Sequence, residues 1–242
     1  MSEHALLLDQ EAQLKLTVGL YEQGLFGIKE NPDDYITLKS ERLSPHYLDI
    51  RPGISDVNTR DLVVQSMIDL AYTRAQTHHN NWIYTDLESV YDHIAGTPEA
   101  MTSYAAMIAN QLDISLLQPR VDLTKATGNK TPILGRYKEG DKVAEFDDVV
   151  TDGASKIATI KGLGKAGLTV VDYFVVVDRE EGGAPQVLAE TGLEITPVLA
   201  VSDMALMLVA ENKITNTQFD NVREYIGQYG DPRAKEVLGL AA

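Results

Sequence analysis

The run VVDYFVVV at residues 170–177 constrains the fold most. β-branched and aromatic side chains suit a pleated surface, and a nearly unbroken apolar run belongs to a strand covered on both faces. This run therefore predicts a buried strand ending at Asp178. It does not stand alone. Strand-like runs at residues 91–95, 114–117, 143–146 and 195–200 alternate with helical patterns to about 111, at 157–166 and at 203–211, and a last helix covers 218–228. Such alternation predicts an α/β protein with a parallel sheet and right-handed crossovers. Upstream, residues 6–20 read as an amphipathic helix closed near Gly24. Residues 35–39 and 46–50 read as short strands, the second bounded by Pro45 and Pro52, and 58–74 as a helix. Ligands of parallel sheets bind outside the carboxyl ends of strands, and Gly96, Asp147 and Asp178 are predicted to fall at such ends.

Composition narrows the classes of function. The 242 residues are 44% hydrophobic and 24% charged, enough for a sizeable core. Lys plus Arg is 21 against 36 Asp plus Glu, a net charge of −15 that repels nucleic acid and anionic membranes. No run of about 18 apolar residues suggests a membrane span. The start, MSEHALLLDQEAQLKL, does not read as a secretory signal. With no cysteine, disulfides and thiolate metal sites are excluded, and a cytoplasmic enzyme is the expectation.

The stretch VAEFDDVVTDGASK, residues 143–156, carries the chemistry. A short strand, the acids Asp147 and Asp148, a small-residue turn (Thr151, Gly153, Ala154, Ser155) and a helical pattern succeed one another. Turn amides and a helix N-terminus can hold a phosphate, and two carboxylates can accept hydrogen bonds from ribose hydroxyls. The same residues also suit an ordinary strand-to-helix turn with Ser155 as N-cap. Residues 120–140 form a long polar segment carrying Arg120, Lys125, Lys130, Arg136 and Lys138. It reads either as a mobile flap closing on an anion or as a solvated loop. Arg179 follows a predicted buried strand, where its planar fork would face the ligand crevice. His93, inside a predicted strand, reads as a hydrogen-bonded core residue and not a metal ligand. No Ser/His/Asp elbow and no separated carboxylate pair points to a hydrolase.

FDDVVTDGAS, residues 146–155, resembles the 5-phosphoribosyl 1-diphosphate (PRPP) motif of type I phosphoribosyltransferases. Three further blocks in order narrow the resemblance to orotate phosphoribosyltransferases: LKSERLSPHYLDIR (38–51), HIAGTPEAM (93–101) and VVVDREEGG (175–183). The resemblance spans roughly residues 10–225. It implies a flavodoxin-like parallel sheet flanked by helices, the type I phosphoribosyltransferase fold. A small hood, residues 30–55 with part of the C-terminal region, would complete a single domain, and a mobile catalytic loop would cover 119–140. The implied reaction converts orotate and PRPP to orotidine 5′-monophosphate and pyrophosphate, with Mg²⁺, in UMP biosynthesis. The implied assembly is a homodimer whose loops cross to the partner's active site.

By position, Asp147 and Asp148 would hold the ribose hydroxyls and, mainly through substrate, the metal. PRPP would also be bound by Val149, Val150, Thr151, Asp152, Gly153, Ala154 and Ser155, and by Gly96, Thr97 and Pro98 on the pyrophosphate side. Lys125 would be the catalytic loop lysine, and Arg120 the loop arginine with one extra residue between them. Orotate would meet Lys39, Tyr47, Thr151 and Arg179. The pattern departs at Asp152, an acid inside the phosphate turn, and at Glu99 and Ala100, which supply no cation beside pyrophosphate. Val121, Asp122 and Thr127 in the loop and Glu41 in the hood also differ. These departures leave open transfer to another base, or a regulator that binds PRPP or a nucleotide without catalysis.

Overall fold

The computed structural model describes residues 8–38, 41–78, 86–120 and 132–240. In chain order, helix α1 (Gln10–Glu22) leads to strands β1 (Phe26–Ile28), β2 (Ile36–Thr37), β3 (Leu43–Ser44) and β4 (His46–Leu48). Then come α2 (Val57–His78), β5 (His93–Gly96), α3 (Thr102–Leu112), β6 (Ser115–Pro119) and β7 (Ile133–Leu134). The second half alternates β8 (Lys142–Val150), α4 (Ala154–Lys165), β9 (Thr169–Asp178), α5 (Gly183–Thr191) and β10 (Ile195–Ala200). Helices α6 (Val201–Ala210), α7 (Asn216–Tyr229) and α8 (Pro232–Val237) follow.

The main sheet has the order β10-β9-β8-β5-β6-β7. Its pairs are parallel except β6 with β7. The valine-rich run is β9, second from the edge, and its alternation feeds two cores. Phe174 and Val176 join the large core with α1, α2, α3 and α6, whereas Tyr173 and Val175 pack with Ile157 of α4 and Val187 of α5. Helices thus cover both faces, which is why this strand can be apolar on both sides.

Two expectations change. Residues 133–134, expected to lack secondary structure, add an antiparallel edge strand through Gln118–Leu134 and Pro119–Ile133 pairing. The strand expected at 143–146 runs to Val150, because Asp147, Val149 and Val150 keep parallel register with Val175, Val177 and Asp178. Asp147 and Asp148 therefore lie inside β8 and not beyond its end.

The connection from β5 through α3 runs to one side of the sheet, and that from β8 through α4 to the other. The crevice at the carboxyl ends of β5 and β8 is thus the topological switch point, where open α/β sheets bind ligands. Above it, β1 pairs with β4 and β2 with β3 as two small antiparallel ribbons. The N-terminal end of α7 ties onto them: Gln218 Nε2 donates to the Ile28 carbonyl at 2.6 Å and Asn221 Nδ2 to those of Lys29 and Glu30.

Candidate active site

Three loops meet at the carboxyl ends of the adjacent strands β5, β8 and β9. The β5 loop begins with Gly96, where a Cβ would come within 2.5 Å of the Ala105 Cβ, so glycine lets α3 sit close. Thr97 is fixed at both ends: its N–H donates to the Phe146 carbonyl and its Oγ1 to Glu145 Oε1 at 3.1 Å. The Pro98–Glu99 peptide is cis.

The β8 loop is the turn expected to hold the phosphate. Gly153 has φ +77°, a conformation glycine adopts without strain, and as the N-cap of α4 it brings no side chain to the helix's first amides. A helix start of this kind can serve as an anion cradle. Asp152 turns back on this cradle: its Oδ1 accepts the Ala154 N–H at 3.1 Å. The acid therefore occupies one of the amides that a phosphate would use. The β9 loop packs directly on the turn. A Cβ on Gly183 would lie 2.2 Å from the Thr151 carbonyl oxygen and 2.8 Å from the Gly153 nitrogen. Two glycines let the backbones of these loops touch.

Successive strand residues start from opposite faces, but the two acids stay close enough to interact directly, and they differ in their surroundings. Asp147 is buried, 2.5 Å from Lys156 Nζ, and its Oδ2 also accepts the Tyr173 hydroxyl at 2.9 Å. Glu145, two residues earlier on the same face, is fully buried, and its Oε2 has no partner among the described residues. Burial, then the neighbouring Asp147, pushes Glu145 up to about 8. Asp148 is half-buried, and burial followed by Asp147 raises it to about 7. Arg51, paired to Asp49 at 2.7 Å, lies within electrostatic reach of Asp148 and Glu99. Among the described residues Asp148 makes no ion pair, whereas Asp147 serves an interior one with Lys156. Val149 and Val150 are the last rungs of β8.

Where the resemblance expects the base, Arg179 is buried, with Nε on Glu181 Oε1 at 2.9 Å and Nη2 on Ser44 Oγ at 3.1 Å. Hood and sheet meet there through Ser44. Tyr47 instead lies over Gly27, where its ring fills the space of a Cβ, with Lys29 Nζ 5.5 Å from the ring centre. The Arg120 N–H donates to the Pro132 carbonyl and closes the base of the long loop. Lys39 and Lys125, with most of that loop, lie outside the described residues. His93, as expected, is a hydrogen-bonded interior residue, with Nε2 2.9 Å from Asp141 Oδ2. A cavity of about 380 Å³ lined in part by His93, Arg136 and Asp141 opens at the amino ends of the strands, away from these loops.

Sequence reasoning missed Lys156, Tyr173, Ser44 and Glu181. Glu145 interrupting an apolar strand was the one local signal that a polar network lies beneath the turn. Among the described residues, no three His, Asp or Glu side chains gather as a metal cage. Asp148 can offer one carboxylate, which suits an ion taking its other oxygens from substrate phosphates and water.

A mostly parallel α/β sheet with a strand-turn-helix unit at its switch point, and small antiparallel ribbons joined to it through Ser44, matches a phosphoribosyltransferase-type fold. The Leishmania donovani UMP synthase structure superposes with a TM-score of 0.72 at 30% identity, covering 90% of this chain and 43% of that one. An orotate phosphoribosyltransferase of Methanosphaera stadtmanae is 30% identical over 170 residues, 69% of this chain and 84% of the relative. The chain belongs to the orotate phosphoribosyltransferase family. The uridine 5′-monophosphate synthase of Bos taurus is 28% identical over 209 residues, and the chain spans 86% of itself but 40% of that protein's length. No family model matches the chain.

Proposed function

We propose that the protein transfers the 5-phosphoribosyl group of PRPP to orotate, giving orotidine 5′-monophosphate and pyrophosphate in pyrimidine biosynthesis. The observation that carries this reading is the backbone contact of Gly183 with Thr151 and Gly153. It sets the Arg179 loop and the phosphate turn in one wall, so a base held by the first lies beside a ribose phosphate held by the second.

The chain's own groups divide the work. The first-turn amides of α4, with Thr151 and Ser155, receive the 5′-phosphate. The Asp148 carboxylate accepts ribose hydroxyls. Raised to about 7 by burial and Asp147, it gains charge when donors or a cation arrive. Thr97 and its loop face the pyrophosphate side, and Arg179 offers its fork to orotate's carboxylate or carbonyl oxygens. The transition state at ribose C1 is oxocarbenium-like, so positioning and charge stabilisation supply most of the catalysis. The nucleophile is the base's ring nitrogen, and no protein nucleophile is required. Mg²⁺, held by substrate oxygens with Asp148, would neutralise the leaving pyrophosphate. Lys125 reaches the same charge from the loop. A homodimer with loops exchanged between active sites completes the proposal.

The test mixes the protein with orotate, PRPP and Mg²⁺ and follows orotate absorbance. Turnover is expected, and none across a range of conditions sinks the reading. Lys125→Ala should lower kcat about a hundredfold or more, the usual loss on removing a donor to developing charge, with a smaller effect on orotate binding. A second reading draws on Asp152, which occupies an amide of the phosphate turn. A regulator of this fold would bind PRPP without turnover, and a base panel separates transfer to a different base.

A further inference from the structure

The C-terminal helices α7 and α8 reach the base side of the crevice without entering it. Arg179 is followed by two acids with buried side chains, Glu180 and Glu181, and each is held from those helices. Glu181 Oε1, which accepts Arg179 Nε at 2.9 Å, also accepts the Tyr225 hydroxyl of α7 at 3.1 Å. Its Oε2 pairs with Arg42 Nη2 of the hood at 3.1 Å. The Arg42 guanidinium in turn lies 5.1 Å over the Tyr229 ring of α7.

Glu180 is gripped more fully. Its φ of +58° is a left-handed conformation that is strained for a non-glycine residue. Such a conformation persists where surroundings over-determine it, and here they do. The Glu180 N–H donates to Asp178 Oδ1 at 2.7 Å, and its carbonyl accepts the Asp231 N–H at 2.8 Å. Its carboxylate accepts the Ser202 N–H at 2.7 Å and the Ser202 hydroxyl at 2.9 Å. Arg233 of α8 donates to the same carboxylate through Nη1, and its Nη2 pairs with Asp203 Oδ2 at 2.6 Å. One residue from α8 thus joins α6 to the backbone that carries Arg179.

We propose that Arg233 and Tyr225 are positioning residues for the base subsite. By pinning Glu180 and Glu181, they aim the Arg179 guanidinium between Ser44 and the crevice. Among the described residues Arg179 Nη1 makes no hydrogen bond, which leaves it for the ligand. Neither positioning residue touches the phosphate turn, so the effect is confined to the base. This inference rests on the orotate transfer proposed above.

The experiment measures KM for orotate and for PRPP, with kcat, in wild type, Arg233→Met, Arg233→Lys and Tyr225→Phe. Urea unfolding of each variant runs in parallel. Arg233→Met should raise the orotate KM at least fivefold and leave the PRPP KM within twofold, with Arg233→Lys recovering part of the loss. Tyr225→Phe removes one hydroxyl and keeps the ring against His46, so it should fold as wild type and still raise the orotate KM at least twofold. If wild type turns over and Tyr225→Phe leaves the orotate KM unchanged, or if both KM values rise together in the variants, the positioning role is overturned. A wild type without turnover instead removes the underlying reaction, and the inference falls with it.

Discussion

At the scale of the residue, Asp152 is the sharpest departure. A phosphate at the N-terminus of α4 would gain from every free amide, yet Asp152 Oδ1 already holds the Ala154 N–H and adds a negative charge beside the cradle. Asp152→Thr should tighten PRPP binding about fivefold, roughly the net worth of one ordinary hydrogen bond. Calorimetry at constant Mg²⁺ checks this, and equal Kd values would mean that the carboxylate moves aside at no cost. Asp147 shows the limit of reading residue types alone. Adjacent acids suggest a matched pair for ribose hydroxyls, but their surroundings differ. Asp147 is committed to Lys156 and Tyr173, whereas Asp148 is less buried and makes no ion pair among the described residues.

At the scale of the element, the carboxyl end of β9 concentrates charge that the fold must neutralise. Asp178 is buried there and is pushed up to about 7 by burial first, with Glu180 and Asp231 acting in the same direction. The folded state therefore favours its neutral form. Relative to an ordinary carboxyl near 3.8, this group's contribution to stability is fully present below that value and is lost as pH rises to about 7. Asp178→Asn should abolish that slope while its Oδ1 still accepts the Glu180 N–H. Urea unfolding at several pH values across the interval from 3.8 to about 7 should show the variant gaining on wild type by the order of a few kcal/mol as pH rises. A difference independent of pH would mean that Asp178 is ionised in the folded protein. The same elements show how much was legible locally. β9 could be read from its valines and aromatics, because composition and period agree there. β7 could not, because two residues pair as an edge strand through contact with β6 and through no pattern of their own.

At the scale of the molecule, the crevice is assembled from segments far apart in the chain. Arg179 is bonded to Ser44, and the hood is tied down by α7. The proposed loop exchange adds a second chain. Lys125→Ala and Asp148→Asn should each be nearly inactive as homodimers. If the loop of one subunit serves the other, mixed dimers hold one intact site, and an equal mixture should recover about a quarter of wild-type activity. Assays on co-expressed variants check this. Recovery near zero, with dimers of twice the 26.6 kDa chain mass present, would confine each loop to its own subunit.

By itself the sequence determined the α/β class, the strand-turn-helix unit at 143–156 and the order of the four blocks. These depend on local period, on turn residues and on spacing along one chain. The tertiary structure alone decided which acid is ion-paired in the interior, and that its partner Lys156 is buried. It also brought Glu180 and Glu181 under the control of Arg233 and Tyr225. Those contacts join residues up to 53 positions apart. Their energies come from burial and ion pairing, which no local pattern encodes.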